Sequence, residues 1–289
     1  MNLTVVVNLV VRVSDYIMGS PNEPDRIRSK TSAVLLDHHL TWADVRSGES
    51  FVDFGCASGE VVRAASTKVD NGRVVGLDAD QRMLDFAADE SERLGLRNIE
   101  YRLADIVGLE SSRLPECSFD HAWTRFFLEY LKEPVDVVRE MVRVVRPGGK
   151  VTLIDIDGNC LWHHPMSARF QASVNEIMAD LATTGFDPRA GSRLSRYAHE
   201  AGLVDIRQQV EPYHWIVGKP DAPTTVAWTA RLEGIKETYM SRVAPDKPQM
   251  AAFFDEFLAL VLADDTMTWS LAYLVQGTKV TYPNETGLA

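Results

Sequence analysis

The sequence predicts an α/β protein in which a parallel sheet carries helices on both faces. Three observations lead there. Short β-branched runs alternate with amphipathic segments between residues 51 and 157, turn signals separate them, and the first run breaks into a glycine-containing turn, "FVDFGCASGE", before a helical pattern. Strands separated by helical segments indicate βαβ units, whose right-handed crossovers cover both faces of a parallel sheet.

The elements follow in order. "SFVDF" is the first strand, and "GEVVRAASTKV" follows with Val61, Val62, Ala65 and Val69 on roughly one helical face. Asn71-Gly72 marks a turn into the second strand, "GRVVGLDA". Asp80 is placed to cap the helix "QRMLDFAADESERLG", which closes at Gly95. "IEYRLADI" and "FDHAWTR" are the third and fourth strands. Pro134 opens the helix "VDVVREMVRVV", Arg146-Pro147-Gly148-Gly149 stops it, and "KVTLIDID" is the fifth strand. Beyond it, residues 161–183, 192–201, 222–241 and 248–263 read as helices, with "VDIRQQVEPY" and "TWSLAYLVQGTKV" as late strands. A helical insertion between late strands would sit over one end of the sheet.

The formal net charge of −11, with no basic run, argues against nucleic acid and against an anionic membrane surface. Cys56, Cys117 and Cys160 are odd in number and far apart, which fits a reducing, cytoplasmic setting better than a disulfide framework. "MNLTVVVNLVVRV" lacks the basic start and cleavage site of a signal peptide and reads as a strand or packing arm.

Ligands of open α/β sheets bind beyond the carboxyl ends of the strands. After strand one stand Asp53, Gly55 and Gly59, where glycine lets a ligand approach the backbone and the helix start offers unpaired N–H groups. After strand two stands Asp78, 19 residues past Gly59, a carboxylate suited to vicinal ribose hydroxyls. Asp105-Ile106 after strand three pairs an acid for an exocyclic amine with an apolar residue for a purine face. Singly, each reads equally well as a cap or a turn; in order they describe an adenosine site. Dinucleotide enzymes need G-x-G-x-x-G, and Ala57 stands where the second glycine belongs. An acid two residues before Gly55 can instead receive the ammonium of an amino acid, which suits S-adenosylmethionine.

Taken together, "VDFGCASGEVVRAAS", "GRVVGLDADQRMLDFA", "RLADI" and "FDHAWTRFFLEYLKEPVDVVREMVRVVRPGGKVTLIDID" resemble the successive motifs of class I S-adenosylmethionine-dependent methyltransferases, in the ubiquinone/menaquinone-biosynthesis-like small-molecule branch. The resemblance covers residues 15–160. It implies a Rossmann-like seven-stranded sheet, mostly parallel, with the last strand antiparallel, helices on both faces and a helical lid. It divides the chain into an N-terminal arm and lid helices (1–45), a cofactor-binding core (46–160), and lid insertions with the final strands (161–289). The implied cofactor set is Asp53, Gly55, Cys56, Ala57 and Gly59 in the turn, Asp78 with Ala79, Asp105 with Ile106, and Thr124-Arg125 near the methionine moiety. Tyr16 and Arg26 in "SDYIMGSPNEPDRIRSK" match a lid segment that reaches over the cofactor in related enzymes. Ala57 departs from the family glycine, which is tolerable if its φ is negative.

For the acceptor the sequence says less. A hydroxyl nucleophile gains from a general base, commonly histidine. His163 and His164 in "LWHHP", after strand five, are the first candidates; His38, His39 and His214 rank below them, and His121 belongs inside strand four. Asp155, Asp157 and Asn159 alternate and would share one strand face, but one short acidic cluster does not make a metal site, and none is expected. The absence of [ND]-P-P-[YF] after strand four argues against methylation of nucleobase or glutamine nitrogen. "MAAFFDEFLALVL" is apolar nearly all round and must be buried by the lid itself or by a second chain, so a homodimer through this helix or the N-terminal arm is the oligomer suggested. An apolar lid suits a small apolar or aromatic acceptor. The alternatives are a non-methylating cyclisation or rearrangement on the same fold, or a cofactor-binding subunit without catalysis.

Overall fold

A computed structural model describes residues 32–106 and 114–281. Tyr16 and Arg26 lie outside the described residues. Helix α1 (Ala33–Trp42) precedes β1 (Ser50–Phe54), α2 (Glu60–Val69), β2 (Arg73–Asp78), α3 (Gln81–Arg93), β3 (Ile99–Leu103) and β4 (Phe119–Arg125). A 3₁₀ turn at Leu128–Tyr130 leads to α4 (Pro134–Val144), β5 (Val145–His164), α5 (Ala168–Thr184), α6 (Ala190–Glu200), β6 (Leu203–Val217), α7 (Ala222–Thr238), α8 (Ala251–Leu262) and β7 (Met267–Lys279). The seven strands form one sheet in the order β3-β2-β1-β4-β5-β7-β6. Strands β1 to β5 pair in parallel, and β7 runs antiparallel to both β5 and β6. The order reverses beside β1, which puts the turn after β1 where a ligand crevice opens.

Period-two alternation builds the two layers. Val52 and Phe54, Val75 and Leu77, and Val151 and Leu153 face one apolar layer, covered by α4 and α6 through Val137, Met141, Leu194 and Ala198. Phe51, Val74, Trp123 and Ile154 face the other, covered by α1 and α2 through Leu36, Leu40, Val62 and Ala65. The expected stops and starts hold: Asp80 Oδ1 accepts the Arg82 amide at 2.9 Å, and Pro134 occupies the first turn of α4. No helix among the described residues is long and apolar enough to cross a membrane.

The late part of the chain departs from the expected pattern. Residues 161–164 extend β5 instead of opening a helix, because Trp162, His163 and His164 pair with Trp269, Thr268 and Met267 of β7. Helix α5 starts only after Ser167, whose hydroxyl accepts the Phe170 amide at 3.0 Å. Arg146–Gly149 likewise belongs to β5, as a bulge opposite β4. Strands β5, β6 and β7 thus run past the sheet and carry α5, α7 and α8 as a lid. The lid has its own core: Phe170 stacks on Phe253 at 4.9 Å between ring centroids, and Trp228, Tyr239, Phe254 and Phe257 are buried with them. That core covers one side of α8 within the chain itself.

A second bulge matters more. Between Asp157↔Leu271 and Trp162↔Trp269, β5 advances five residues while β7 advances two. Gly158, Asn159 and Cys160 take positive φ values of 94°, 41° and 65°. The expected common face of Asp155, Asp157 and Asn159 is broken there, and Asn159 is re-aimed toward the 3₁₀ turn after β4.

Candidate functional site

The carboxyl edge of β1 breaks sharply. The Gly55 and Cys56 amides both donate to the Leu77 carbonyl at 2.9 Å, and the Gly59 amide returns to the Cys56 carbonyl at 2.9 Å. Gly55 and Gly59 have φ of 79° and 80°. A Cβ on Gly55 would lie 2.6 Å from the Phe127 ring, and one on Gly59 would lie 2.5 Å from the Tyr101 hydroxyl. Ala57 also has a positive φ, 45°. The expectation of a negative φ fails: alanine adopts the backbone the family glycine would, at a cost of about 1–2 kcal/mol. The compensation is visible, since the Ala57 amide donates to Asp78 Oδ2 at 2.8 Å.

Two carboxylates flank this turn. Asp53 is 2 % exposed and makes no ion pair among the described residues. Burial, reinforced by the Asp78 charge and opposed by Arg125, pushes its pKa up to about 8. Asp78 is also held above the usual carboxylate range by burial, which the Asp80 and Ala57 amides partly offset. Its Oδ1 takes the Asp80 amide at 2.9 Å, so each oxygen already holds one backbone donor. A carboxylate has about four acceptor positions, leaving room for two ribose hydroxyls. Ala79 is exposed beside it, Asp105 is half-buried past β3, and Ile106 is buried. Cys56 lies buried under the turn, its thiol pKa raised by that burial. Thr124 locks β4 to β1 by donating to the Phe54 carbonyl at 2.9 Å. Arg125 lies 4.0 Å over the Phe126 ring, with Nε and Nη2 buried and without a hydrogen-bond partner among the described residues.

This donor set fits S-adenosylmethionine. A buried carboxylate without a counter-ion calls for a cation, and an amino-acid ammonium supplies one. Among the described residues, no group of three His, Cys, Asp or Glu could hold a metal ion.

The two histidines after strand five sit elsewhere. His163 Nδ1 hydrogen-bonds Thr268 Oγ1 at 2.7 Å, with the ring edge-on to Phe170 and Phe257 in the lid core. Burial alone lowers its pKa to about 4, with no charge of the cofactor site acting on it. His164 is exposed at the end of β5. His121 bonds Thr152 Oγ1 at 2.8 Å inside the sheet.

Other groups converge at the edge instead. Glu129 is buried in the 3₁₀ turn; Asn159 Nδ2 donates to its Oε2 at 2.9 Å, and its own amide donates to Asp155 Oδ2 at 3.1 Å. Burial raises the pKa of both carboxyls. Ring contacts Phe126–Tyr213, Tyr213–His214 and His214–Trp228, at 4.9, 4.5 and 5.6 Å, lead from the end of β4 into the lid. Beside them, Arg231 Nη1 donates to His214 Nε2 at 3.0 Å. An acid inside the otherwise apolar "FFLEY" was the one sequence signal for Glu129; Tyr213 and Arg231 had none.

Residues 52–153 match the model of a family described as a methyltransferase domain. Demethylmenaquinone methyltransferase of Oceanobacillus iheyensis is 32% identical over 137 residues, 44% of this chain and 56% of that protein. An uncharacterised 37.1 kDa protein in transposon TN4556 of Streptomyces fradiae is 31% identical over 62% of this chain and 49% of its own length. The chain thus spans about half the length of these curated relatives. A putative methyltransferase from Bacillus halodurans superposes with a TM-score of 0.57 at 20% identity, over 85% of this chain and 99% of that one. The [4+2]-cyclase SpnF superposes with a TM-score of 0.54 at 19% identity, over 86% and 82%. At such identities the likeness concerns the fold alone.

Proposed function

We propose that residues 52–153, which match a family described as a methyltransferase domain, work as a class I S-adenosylmethionine-dependent methyltransferase, and that the chain methylates a small molecule with an apolar or aromatic body. The observation that carries the reading is Asp53, a carboxylate buried at the carboxyl edge of β1 without an ion-pair partner among the described residues. In this reading Asp53 receives the methionine ammonium and Asp78 the ribose hydroxyls. The Gly55–Gly59 turn brings backbone against the ligand, and Asp105 and Ile106 meet the adenine. S-adenosylmethionine, when bound, supplies a methyl group on an electrophilic sulfonium. The aromatic run through Phe126, Tyr213 and Trp228 supports an acceptor with a flat or apolar body. Three free thiols agree with a cytoplasmic setting.

Calorimetric titration with S-adenosylhomocysteine tests the cofactor half, with binding expected to weaken at least tenfold in Asp53→Asn. No binding by the wild-type chain rejects the proposal. Mass spectrometry of products tests the chemistry: a gain of one methylene supports transfer, and an isomer of unchanged mass supports cyclisation.

A further inference from the structure

Helix α7 carries Trp228 and Arg231 three residues apart, so the two side chains share the helix face that packs toward β6. The Arg231 guanidinium lies 4.7 Å over the Trp228 ring, and Trp228 meets the His214 ring edge-on at 5.6 Å. Arg231 Nη1 donates to His214 Nε2 at 3.0 Å. A guanidinium only donates, so Nε2 carries the lone pair and the His214 proton sits on Nδ1. Nδ1 donates it to Ser270 Oγ of β7 at 2.5 Å, and Ser270 is fully buried. His214 thus holds one corner of the guanidinium and leaves the other edge, Nε with Nη2, open. Nε is buried without a partner among the described residues, and Nη2 makes no hydrogen bond among them. Arg231 forms no ion pair among them either.

Unmet nitrogens elsewhere are of another kind. His39 Nδ1 is buried without a partner among the described residues, but burial brings the ring's pKa down to about 4, and Nε2 is held by Glu211 of β6 at 3.1 Å. A neutral ring calls for no counter-ion. Arg125 has the same open edge, Nε with Nη2, at the end of β4, where the resemblance puts the methionine moiety with its own carboxylate. Arg231 stands on the lid, and the aromatic run through Phe126, Tyr213 and His214 lies between it and that edge. Glu129 feels the Arg231 charge, but Asn159 Nδ2 occupies its Oε2 and burial raises its pKa to about 7, so it is a poor counter-ion. The Trp228 face attracts a cation and accepts no N–H lying in the guanidinium plane.

Resting on the methyltransferase reading above, we infer that the acceptor is a carboxylic acid and that Arg231 selects it: the carboxylate sits on the Nε–Nη2 edge, and the flat body lies along Trp228 and Tyr213. A carboxylate offers two oxygens that accept from Nε and Nη2 in parallel, and it supplies the missing charge. A neutral hydroxyl, an amide or a water satisfies one N–H and leaves the cation without a counter-charge. A protonated amine is repelled. An isostere without the acid leaves the guanidinium edge buried and unpaired, which is the strongest discrimination such a site can make. His214 acts through Arg231 as a positioning residue. With Nη1 held, the guanidinium plane is fixed and the open edge keeps one direction.

The test uses the full chain loaded with S-adenosylhomocysteine and a matched pair of probes, 2-naphthoate and 2-naphthamide, which share one flat body and differ in charge. Calorimetric titration of the wild type should give naphthoate an affinity about 10–100-fold above that of naphthamide. Arg231→Leu should erase the preference and leave the naphthamide and S-adenosylhomocysteine affinities within a factor of three. Arg231→Lys, which keeps the charge and loses the fork, should retain part of it. His214→Phe, which keeps a ring and drops the acceptor, should weaken naphthoate alone and by less than Arg231→Leu. Should Arg231→Leu fail to fold by circular dichroism, Arg231→Gln takes its place with the same loss expected. Equal wild-type affinities, or binding of neither probe by a chain that binds S-adenosylhomocysteine, overturn the inference and leave the methyltransferase reading standing. No S-adenosylhomocysteine binding by the wild type removes both. A uniform loss of both probes in Arg231→Leu marks an arginine that only packs on Trp228, and it too overturns the assignment. So does a preference that survives Arg231→Leu and disappears in Arg125→Leu, which would put the carboxylate at the cofactor edge.

Discussion

The turn after β1 and the surface beneath α1 both bury polar groups, and they handle them in opposite ways. In the turn, groups from neighbouring strands satisfy one another: Asp78 takes the Ala57 and Asp80 amides, and Thr124 takes the Phe54 carbonyl. Beneath α1 and the lid, His39, Arg125 and Arg231 each keep at least one buried nitrogen without a partner among the described residues. Buried polar atoms are almost always satisfied, so the second surface calls for partners beyond the described residues, while the turn, Asp53 apart, is satisfied within them. The difference separates a turn that closes on itself from a surface that, among the described residues, does not.

The comparison is most easily broken at Gly55. Gly55→Val forces a side chain into the Phe127 ring at a positive φ, and should cost about 3 kcal/mol or more of stability in urea unfolding. An unchanged midpoint would show that the turn is looser than its contacts indicate.

Asp53 is the exception in the turn, a buried carboxylate with no ion pair among the described residues, and pH exposes it. With its pKa near 8, the folded protein keeps a proton that the unfolded chain has already released above about pH 4. The unliganded protein should therefore be most stable at the acid end of that window and lose stability as pH rises from 4 to 8, with a slope of at most about 1.4 kcal/mol per unit from this group. Asp53→Asn should flatten the slope. S-adenosylhomocysteine binding near pH 7 should release a proton, seen by calorimetry in buffers of different ionisation heat.

Asp78→Ala strips both amides of their acceptor. A loss of about 1–3 kcal/mol in stability and at least tenfold in cofactor affinity is expected; unchanged affinity would reject the ribose role. The smallest effect is a gain. Ala57→Gly relieves the strained φ and should stabilise the fold by about 1 kcal/mol after the added freedom of the unfolded chain is set against it.

What was legible in the sequence follows the same divide. β1 to β4, the helices between them and the acids at the strand ends could be read because their signals are local: period-two runs, Asp80 as a cap, Pro134 at a helix start. The sign of φ at Ala57 could not, since the Asp78 carboxylate that holds it comes from another strand. The extension of β5 through "CLWHH" was hidden because only pairing with β7 makes that stretch a strand. His39 and Glu211 are 172 residues apart, and no window of sequence joins them. His163 looked catalytic by position, and the lid core around it could be seen only once Phe170 and Phe257 were in place.

The shared backbone of sheet and lid sets how this molecule could change over evolutionary time. Because β5, β6 and β7 run unbroken from one into the other, the lid has no independent seat. A one-residue slip of β7 would turn its inward residues outward along the whole ladder, from Lys150 to His164. New acceptors must then be won by exchanging side chains on α5, α7 and α8 or by redrawing the loop at residues 158–161, while the placement of the lid is inherited intact.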